Sequence, residues 1–277
     1  MEPSVISPAI DVHVHLHPPR LADAIERHFG ERGWRAAHPF TPEAVWATLR
    51  AHGIERFCFF SYAHRAGLAR DVNRWIADTA QRLPGSIPLG TVHPDDGDRV
   101  DAADEALGPL GLAGFKFHCS VQRVRPDDPR LFPVYERVLA ANKVVLIHAG
   151  TMPYRDSYTG LEPLRRLMER FPALRVCVAH LGAFDHEACL AMTGDFPHLY
   201  VDTAMALSPL AEPYVGTAGA TTELLLRHQD RILYGSDFPL LPYPYAEELG
   251  FAEARGLDEG VRRKIFHDNA ARFLTLP

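Results

Sequence analysis

The chain has 277 residues, 47% of them apolar and 23% charged, with a formal net charge of −6 at neutral pH. That length suits one α/β barrel, typically about 250 residues, and the composition supplies a large core and excludes general disorder. The Lys and Arg residues are scattered, which argues against a nucleic-acid surface, and no apolar run approaches the roughly 18 residues of a membrane span.

The first strand-like run is Ile10 to Leu16, where alternation places Asp11, His13 and His15 on one face and Ile10, Val12, Val14 and Leu16 on the other. The connection 17–41 is the longest, with helical spacing over Leu21–Phe29 followed by Gly30, Gly33 and Trp34. On a barrel it opens at the face where active sites sit, so it is a candidate lid, with a solvated insertion as the competing reading. Helical spacing over Pro42–His52 then leads to a strand at Arg56–Ser61, a helix at Leu68–Leu83 and a strand at Ile87–Val92. A strand at Ala113–His118 and a helix at Leu131–Ala141 follow, then a strand at Lys143–His148 and a helix at Gly160–Phe171. Strands at Leu174–His180 and Leu199–Thr203, a helix at Thr221–His228, a strand at Arg231–Asp237 and a helix over Val261–Leu274 complete the series.

Alternating strands and helices imply a parallel sheet, and eight such units imply closure into a (β/α)8 TIM barrel, a single domain over 1–277. An open doubly wound sheet is the rival, but no GxGxxG follows the first strand. No linker rich in Gly, Pro or Ser marks a second domain.

Polar residues recur where these strands should end. The fourth reads Gly114-Phe115-Lys116-Phe117-His118, the fifth ends in His148, the sixth in His180 and the eighth in Asp237. A lone His after a buried strand is most simply a core residue with a hydrogen bond. Four such endings, beside two imidazoles at His13 and His15 that can reach one ion, point instead to a shared centre. Cys58 and Cys177 lie in apolar runs and read as small buried hydrophobes, while Cys119 follows His118 near a strand end. There is no CxxC pair, and the first residues lack the positive start and apolar core of a signal peptide, so a reducing cytoplasm is expected.

The ordered set DxHxH, GxKxH, IHAG, AHLG, YGSDFP and the terminal Asn269-Ala270-Ala271-Arg272-Phe273-Leu274 resembles the metal-dependent amidohydrolase superfamily. Within it, the chain resembles the branch holding aminocarboxymuconate semialdehyde decarboxylase, γ-resorcylate decarboxylase and uncharacterised hydrolases. The match covers nearly the whole chain and is far more specific for the superfamily than for a substrate. The resemblance implies that His13, His15, His148 and Asp237 hold one divalent metal, Zn²⁺ first, with Mn²⁺, Fe²⁺ or Co²⁺ also accommodated. It makes Asp237 the proton acceptor and sets His180 beside the activated water, so these two are the catalytic pair. Asp11 would either stand behind the ligands, where a carboxylate fixes an imidazole tautomer, or serve a structural role.

Hydrolysis of a C–N or C–O bond by metal-activated water is the first expectation. Non-oxidative decarboxylation of an aromatic or unsaturated carboxylic acid is the alternative, and a metal-binding barrel without catalysis a third reading. An anionic substrate would draw on Lys116, His118, Arg123, Arg125 and Arg155 near the mouth. In binuclear members a carboxylated lysine on the fourth strand bridges two ions. The motifs here resemble the single-metal branch, so Lys116 is expected unmodified, with its nitrogen turned away from the ion toward a carboxylate or the substrate opening; neutralising a buried Asp11 or Asp237 is the competing reading. The expected partner is a small molecule, neither nucleic acid nor membrane, and the sequence leaves a homo-oligomer open.

Overall fold

Strands form where β-branched and aromatic residues run together, as in Val144-Val145-Leu146-Ile147, and each run is short enough to end within a few residues. The computed structural model describes residues 8–151, 156–212 and 220–276, with the backbone alone at 251–253. Its strands are β1 (Ala9–His15), β2 (Ile54–Phe60), β3 (Ser86–Leu89), β4 (Gly114–His118), β5 (Val144–His148), β6 (Arg175–Val178), β7 (Leu199–Asp202) and β8 (Ile232–Leu233). All neighbouring pairs are parallel, in a ladder β1-β2-β3 and a ladder β4-β5-β6-β7-β8.

Two seams join the ladders into the expected barrel. At one, Gly90 N–H donates to Gly114 O and Lys116 N–H to Gly90 O, both at 2.8 Å. At the other, Val12 N–H donates to Tyr234 O, Asp237 N–H to His13 O and His15 N–H to Phe238 O, at 2.9, 2.9 and 2.7 Å. The second seam brings Asp237 beside the histidines of β1.

Helices cover the outside: α1 (Pro19–Gly30), α2 (Pro42–Ala51), α3 (Ala69–Arg82), α4 (Arg99–Leu107), α5 (Cys119–Gln122), α6 (Phe132–Ala140), α7 (Leu161–Arg170), α8 (His186–Asp195), α9 (Thr222–Arg227), α10 (Tyr245–Ala254), α11 (Glu259–Arg263) and α12 (Asn269–Leu274). The helices α4, α5, α8 and α10 go beyond those read from the sequence. Helix α4 buries only Ala102, Ala103 and Ala106, an apolar stripe too small to stand out by periodicity. The closing helix is interrupted by a wide turn over Lys264–Asp268, where the Ile265 carbonyl accepts a hydrogen bond from Tyr234 N–H.

One buried cluster fills the barrel, with Ile10, Val12, Cys58, Phe60, Leu89, Val144, Leu146, Cys177, Tyr200 and Leu233; Phe273 of α12 packs on it from below. A second, larger cluster lies between strands and helices. Cys119 belongs there, and all four cysteines are buried and unpaired. Val14 and Leu16 also belong to the outer cluster although Ile10 and Val12 belong to the inner one. The β1–β2 register slips between Asp11 and Val14, so strict alternation does not hold along β1.

Strand β8 is shorter than expected. Beyond Leu233, Thr203 Oγ1 donates to Gly235 O and accepts from Gly235 N–H, both at 3.1 Å, so a side chain takes the place of the ladder. A Cβ on Gly235 would lie 2.8 Å from His13 Cβ and 3.2 Å from Asp202 Cβ. Gly235→Ala should therefore cost about 1–3 kcal/mol of stability, as overpacking does, and disturb the centre. Chemical denaturation checks this; an unchanged midpoint would show that the contact yields freely.

The 17–41 connection is tied to the segment after Asp237. Trp34 Nε1–H donates to Leu240 O at 2.7 Å, Ala37 N–H to Leu241 O at 2.8 Å, and His38 Nε2–H to Tyr243 O at 2.9 Å. No helix among the described residues is long and apolar enough to cross a membrane.

Candidate metal centre

The strand ends deliver their polar side chains to one buried place. His13 Nδ1–H donates to Asp202 Oδ2 at 2.8 Å, leaving Nε2 as the basic nitrogen, 3.1 Å from Asp237 Oδ1. His15 Nε2 lies 3.0 Å from the same carboxylate oxygen. Just past β6 the backbone turns into the left-handed region, with φ of 58° at His180 and 52° at Leu181, which ends the strand earlier than expected. His180 Nδ1–H then donates to Ala204 O at 2.8 Å, so its Nε2 is also the basic nitrogen. Among the described residues, His13, His180 and Asp237 each offer a ligand atom within 4.8 Å of the others, and all three side chains are buried.

His148, at the end of β5, stands one ring further out. Its centroid is 4.7 Å from His180 and 4.2 Å from His118, on which it stacks. His118 is held from behind, its backbone N–H donating to Gln122 Oε1 at 2.9 Å. Of the four expected ligands, His13, His15 and Asp237 thus meet directly, while His148 adjoins through His180.

Asp11 does not share the histidine face. It accepts from Ser236 Oγ–H at 2.6 Å, Ser236 N–H at 3.1 Å, Tyr245 O–H at 3.0 Å and His13 N–H at 3.0 Å. It pins the turn before Asp237, which is the structural one of its two expected roles. The role of backing an imidazole falls to Asp202 on β7. Its Oδ2 fixes His13, and its Oδ1 accepts the backbone N–H groups of His180 at 3.0 Å and Ala204 at 3.1 Å. Sequence reasoning missed Asp202, although Tyr200-Val201-Asp202 ends its strand in a polar residue as the others do.

Lys116 is fully buried, and its Nζ lies 3.3 Å from His13 Nε2 and 4.5 Å above the Phe60 ring. Alternation along β4 turns Lys116 inward, because Phe115 and Phe117 on either side of it pack in the outer cluster. Arg123 stands exposed on a turn with φ of 50°, and Arg125 pairs with Asp127 at 3.0 Å. Arg155 lies outside the described residues.

Burial alone would raise the Asp237 carboxyl, but His15 and His13 hold it well below the ordinary carboxylate range. Burial likewise opposes ionisation of Asp202, and the adjacent His13, His180 and Lys116 bring it down to about 2. Burial lowers His15 to about 4 and Lys116 to about 8. Burial lowers His180 as well, whereas against its burial His13 is raised by Asp202 and Asp237. Two firm carboxylates among three imidazoles make a donor set that suits a divalent cation, which would displace the extra proton from His13.

Burial also pushes Glu248 up to about 8, although its carboxylate accepts from Tyr243 O–H at 2.6 Å and Met205 N–H at 3.1 Å. The folded state keeps this proton where the unfolded chain would release it, so stability falls as pH rises from about 4.5 to about 8. Glu248→Gln needs no such proton. Its stability relative to wild type should grow through that window, by up to about 1.4 kcal/mol per pH unit. Urea melts at both ends check this; an equal difference at both would contradict it.

The family model described as amidohydrolase matches residues 10–276. Among solved structures, the chain is similar to an uncharacterised TIM-barrel protein from Bordetella bronchiseptica, with 22% identity, TM-score 0.76, and coverage of 97% of this chain and 98% of that one. It is similar to 5-carboxyvanillate decarboxylase from Novosphingobium aromaticivorans, complexed with manganese and 4-hydroxy-3-methoxy-5-nitrobenzoic acid. Identity there is 16%, TM-score 0.68, and coverage 99% and 97%. A 2,6-dihydroxybenzoate decarboxylase complexed with 2,6-dihydroxybenzoate matches at 16% identity and TM-score 0.70, over 98% of this chain and 100% of that one. With the barrel, the buried histidine–aspartate centre and a family match from end to end, this chain belongs to the amidohydrolase family.

Proposed function

We propose that the protein is a metal-dependent, non-oxidative decarboxylase of a small aromatic carboxylic acid, which reverses the order of the two expectations drawn from the sequence. The observation that carries this reading is the end-to-end likeness to two aromatic-acid decarboxylases, combined with a deeply buried centre that holds a lysine ammonium. His13, His15, His148 and Asp237 are assigned to hold one divalent ion. Its imidazole-rich donors suit Zn²⁺, and Mn²⁺ is the ion in the Novosphingobium structure. When bound, such an ion supplies Lewis acidity toward substrate oxygens.

The chain's own residues do the rest. Lys116 adds positive charge beneath the substrate carboxylate in a site closed to water, where charge interactions are strong. As the C–C bond to the carboxylate breaks and CO₂ leaves, the ring carbon keeps the electron pair and needs one proton. That proton comes from solvent, and Asp237, 8% exposed and touching both β1 imidazoles with His180 beside it, is placed to take it up and pass it to the carbon. The docked 17–41 segment serves as a lid in this reading. Hydrolysis by the same groups is the second reading, favoured by Asp237 as a proton acceptor held firmly in its ionised form.

His180→Ala should reduce turnover about 10²- to 10⁴-fold while leaving metal content near wild type. A parallel loss of metal would instead make His180 a ligand, as its place in the tightest donor group allows. The reaction itself is tested with hydroxybenzoates and the metal-loaded protein in D₂O. Release of CO₂ with deuterium on the vacated carbon is expected. Cleavage of amide or ester substrates with uptake of labelled solvent oxygen, and no CO₂ from any acid, would overturn the reading in favour of hydrolysis.

A further inference from the structure

Tyr62 lies two residues beyond β2, and three imidazoles surround its ring at steep angles. The centroid distances are 5.4 Å to His118, 5.7 Å to His17 and 6.2 Å to His15. Each of these imidazoles has one buried nitrogen without a hydrogen bond: His118 Nδ1, His17 Nε2 and His15 Nδ1. Buried polar groups are rarely left so, because each costs about 1–3 kcal/mol. Among the described residues, six buried side-chain atoms are in this condition, and three of them stand around this one ring.

Their other contacts fix the arrangement. His17 Nδ1 is 2.8 Å from Ser61 Oγ, and His118 stacks on His148 at 4.2 Å. The Tyr62 hydroxyl makes no hydrogen bond among the described residues. Tyr62 is half-buried, whereas His15, His17 and Lys116 beneath it are closed to solvent. A molecule entering above the centre therefore meets the phenol before it meets the imidazoles of β1.

A phenol hydroxyl with no hydrogen-bond partner can both donate and accept, which suits a group that does the same, such as a hydroxyl. A second carboxylate would call for a cation at this ring, and among the described residues the lysine of the centre, Lys116, sits against His13.

We propose that Tyr62 determines substrate specificity: its hydroxyl hydrogen-bonds a hydroxyl group on the aromatic ring of the acid, while His17 and His118 hold the phenol above the centre. This rests on the decarboxylase reading for the reacting carboxylate, but not for its own test.

Equilibrium binding of 2-, 3- and 4-hydroxybenzoate and of benzoate is measured by calorimetry with the metal-loaded wild type and Tyr62→Phe. Metal content and melting temperature are recorded for both, since the substitution keeps the ring. Wild type should prefer one hydroxybenzoate over benzoate, and Tyr62→Phe should lose roughly tenfold in affinity for that acid and almost nothing for benzoate. A structural role would weaken both ligands equally. Equal losses, an unchanged preference, or no preference in wild type would each overturn the proposal. Because binding is read without turnover, a Tyr62-dependent preference without CO₂ release would leave the recognition standing and remove the decarboxylase reading.

Discussion

Asp237→Asn is expected to lower turnover about 10²- to 10⁴-fold in metal-replete protein while leaving the fold intact. The backbone at Asp237 has φ of 69°, a left-handed conformation that asparagine tolerates as well as aspartate, so the turn should survive. The side chain's work does not survive. Its Oδ1 lies 3.1 Å from His13 Nε2 and 3.0 Å from His15 Nε2, where a carboxylate carries full negative charge toward an ion and can exchange a proton. An amide oxygen keeps the shape, binds a cation weakly and carries no titratable proton. Steady-state kinetics beside elemental analysis check this. Near wild-type turnover at full metal occupancy would remove Asp237 from the chemistry.

Asp202→Ala should act on the metal more than on any single step. Both carboxylate oxygens are in use, and the substitution strands four buried donors: His13 Nδ1–H, the backbone N–H groups of His180 and Ala204, and, more weakly, the Cys177 thiol. Stranded donors cost about 1–3 kcal/mol each, so a large loss of stability is expected. Where the protein still folds, His13 is free to rotate or change tautomer, and metal affinity should fall about 10- to 100-fold. Asp202→Asn keeps one acceptor oxygen and should lie between the two. Metal titration with a competing chelator measures this. Wild-type affinity in folded Asp202→Ala would show that His13 needs no anchor.

Much of the barrel was legible because a parallel strand buried on both faces reads as an apolar run, and a polar residue at its end is conspicuous. His118, His148 and Asp237 stood out for that reason. Asp202 carried the same mark, but a single aspartate before Thr203 resembles an ordinary turn signal. The face of β1 was misjudged for a different cause. The register slip between Asp11 and Val14 turns Asp11 toward Ser236 and Tyr245, and alternation contains no sign of such a slip. Tyr62 lies in a loop, where no period distinguishes a functional residue from a solvated one.

The most direct measurement is metal stoichiometry. The protein is stripped, reconstituted with excess Mn²⁺ or Zn²⁺, desalted and analysed for metal per chain, with intact mass recorded alongside. The account predicts one ion per chain, an unmodified Lys116, decarboxylation that rises in proportion to occupancy, and almost no metal in the His13→Ala/His15→Ala double variant. Two ions per chain with a carbamate on Lys116, or metal retained by the double variant, would contradict it.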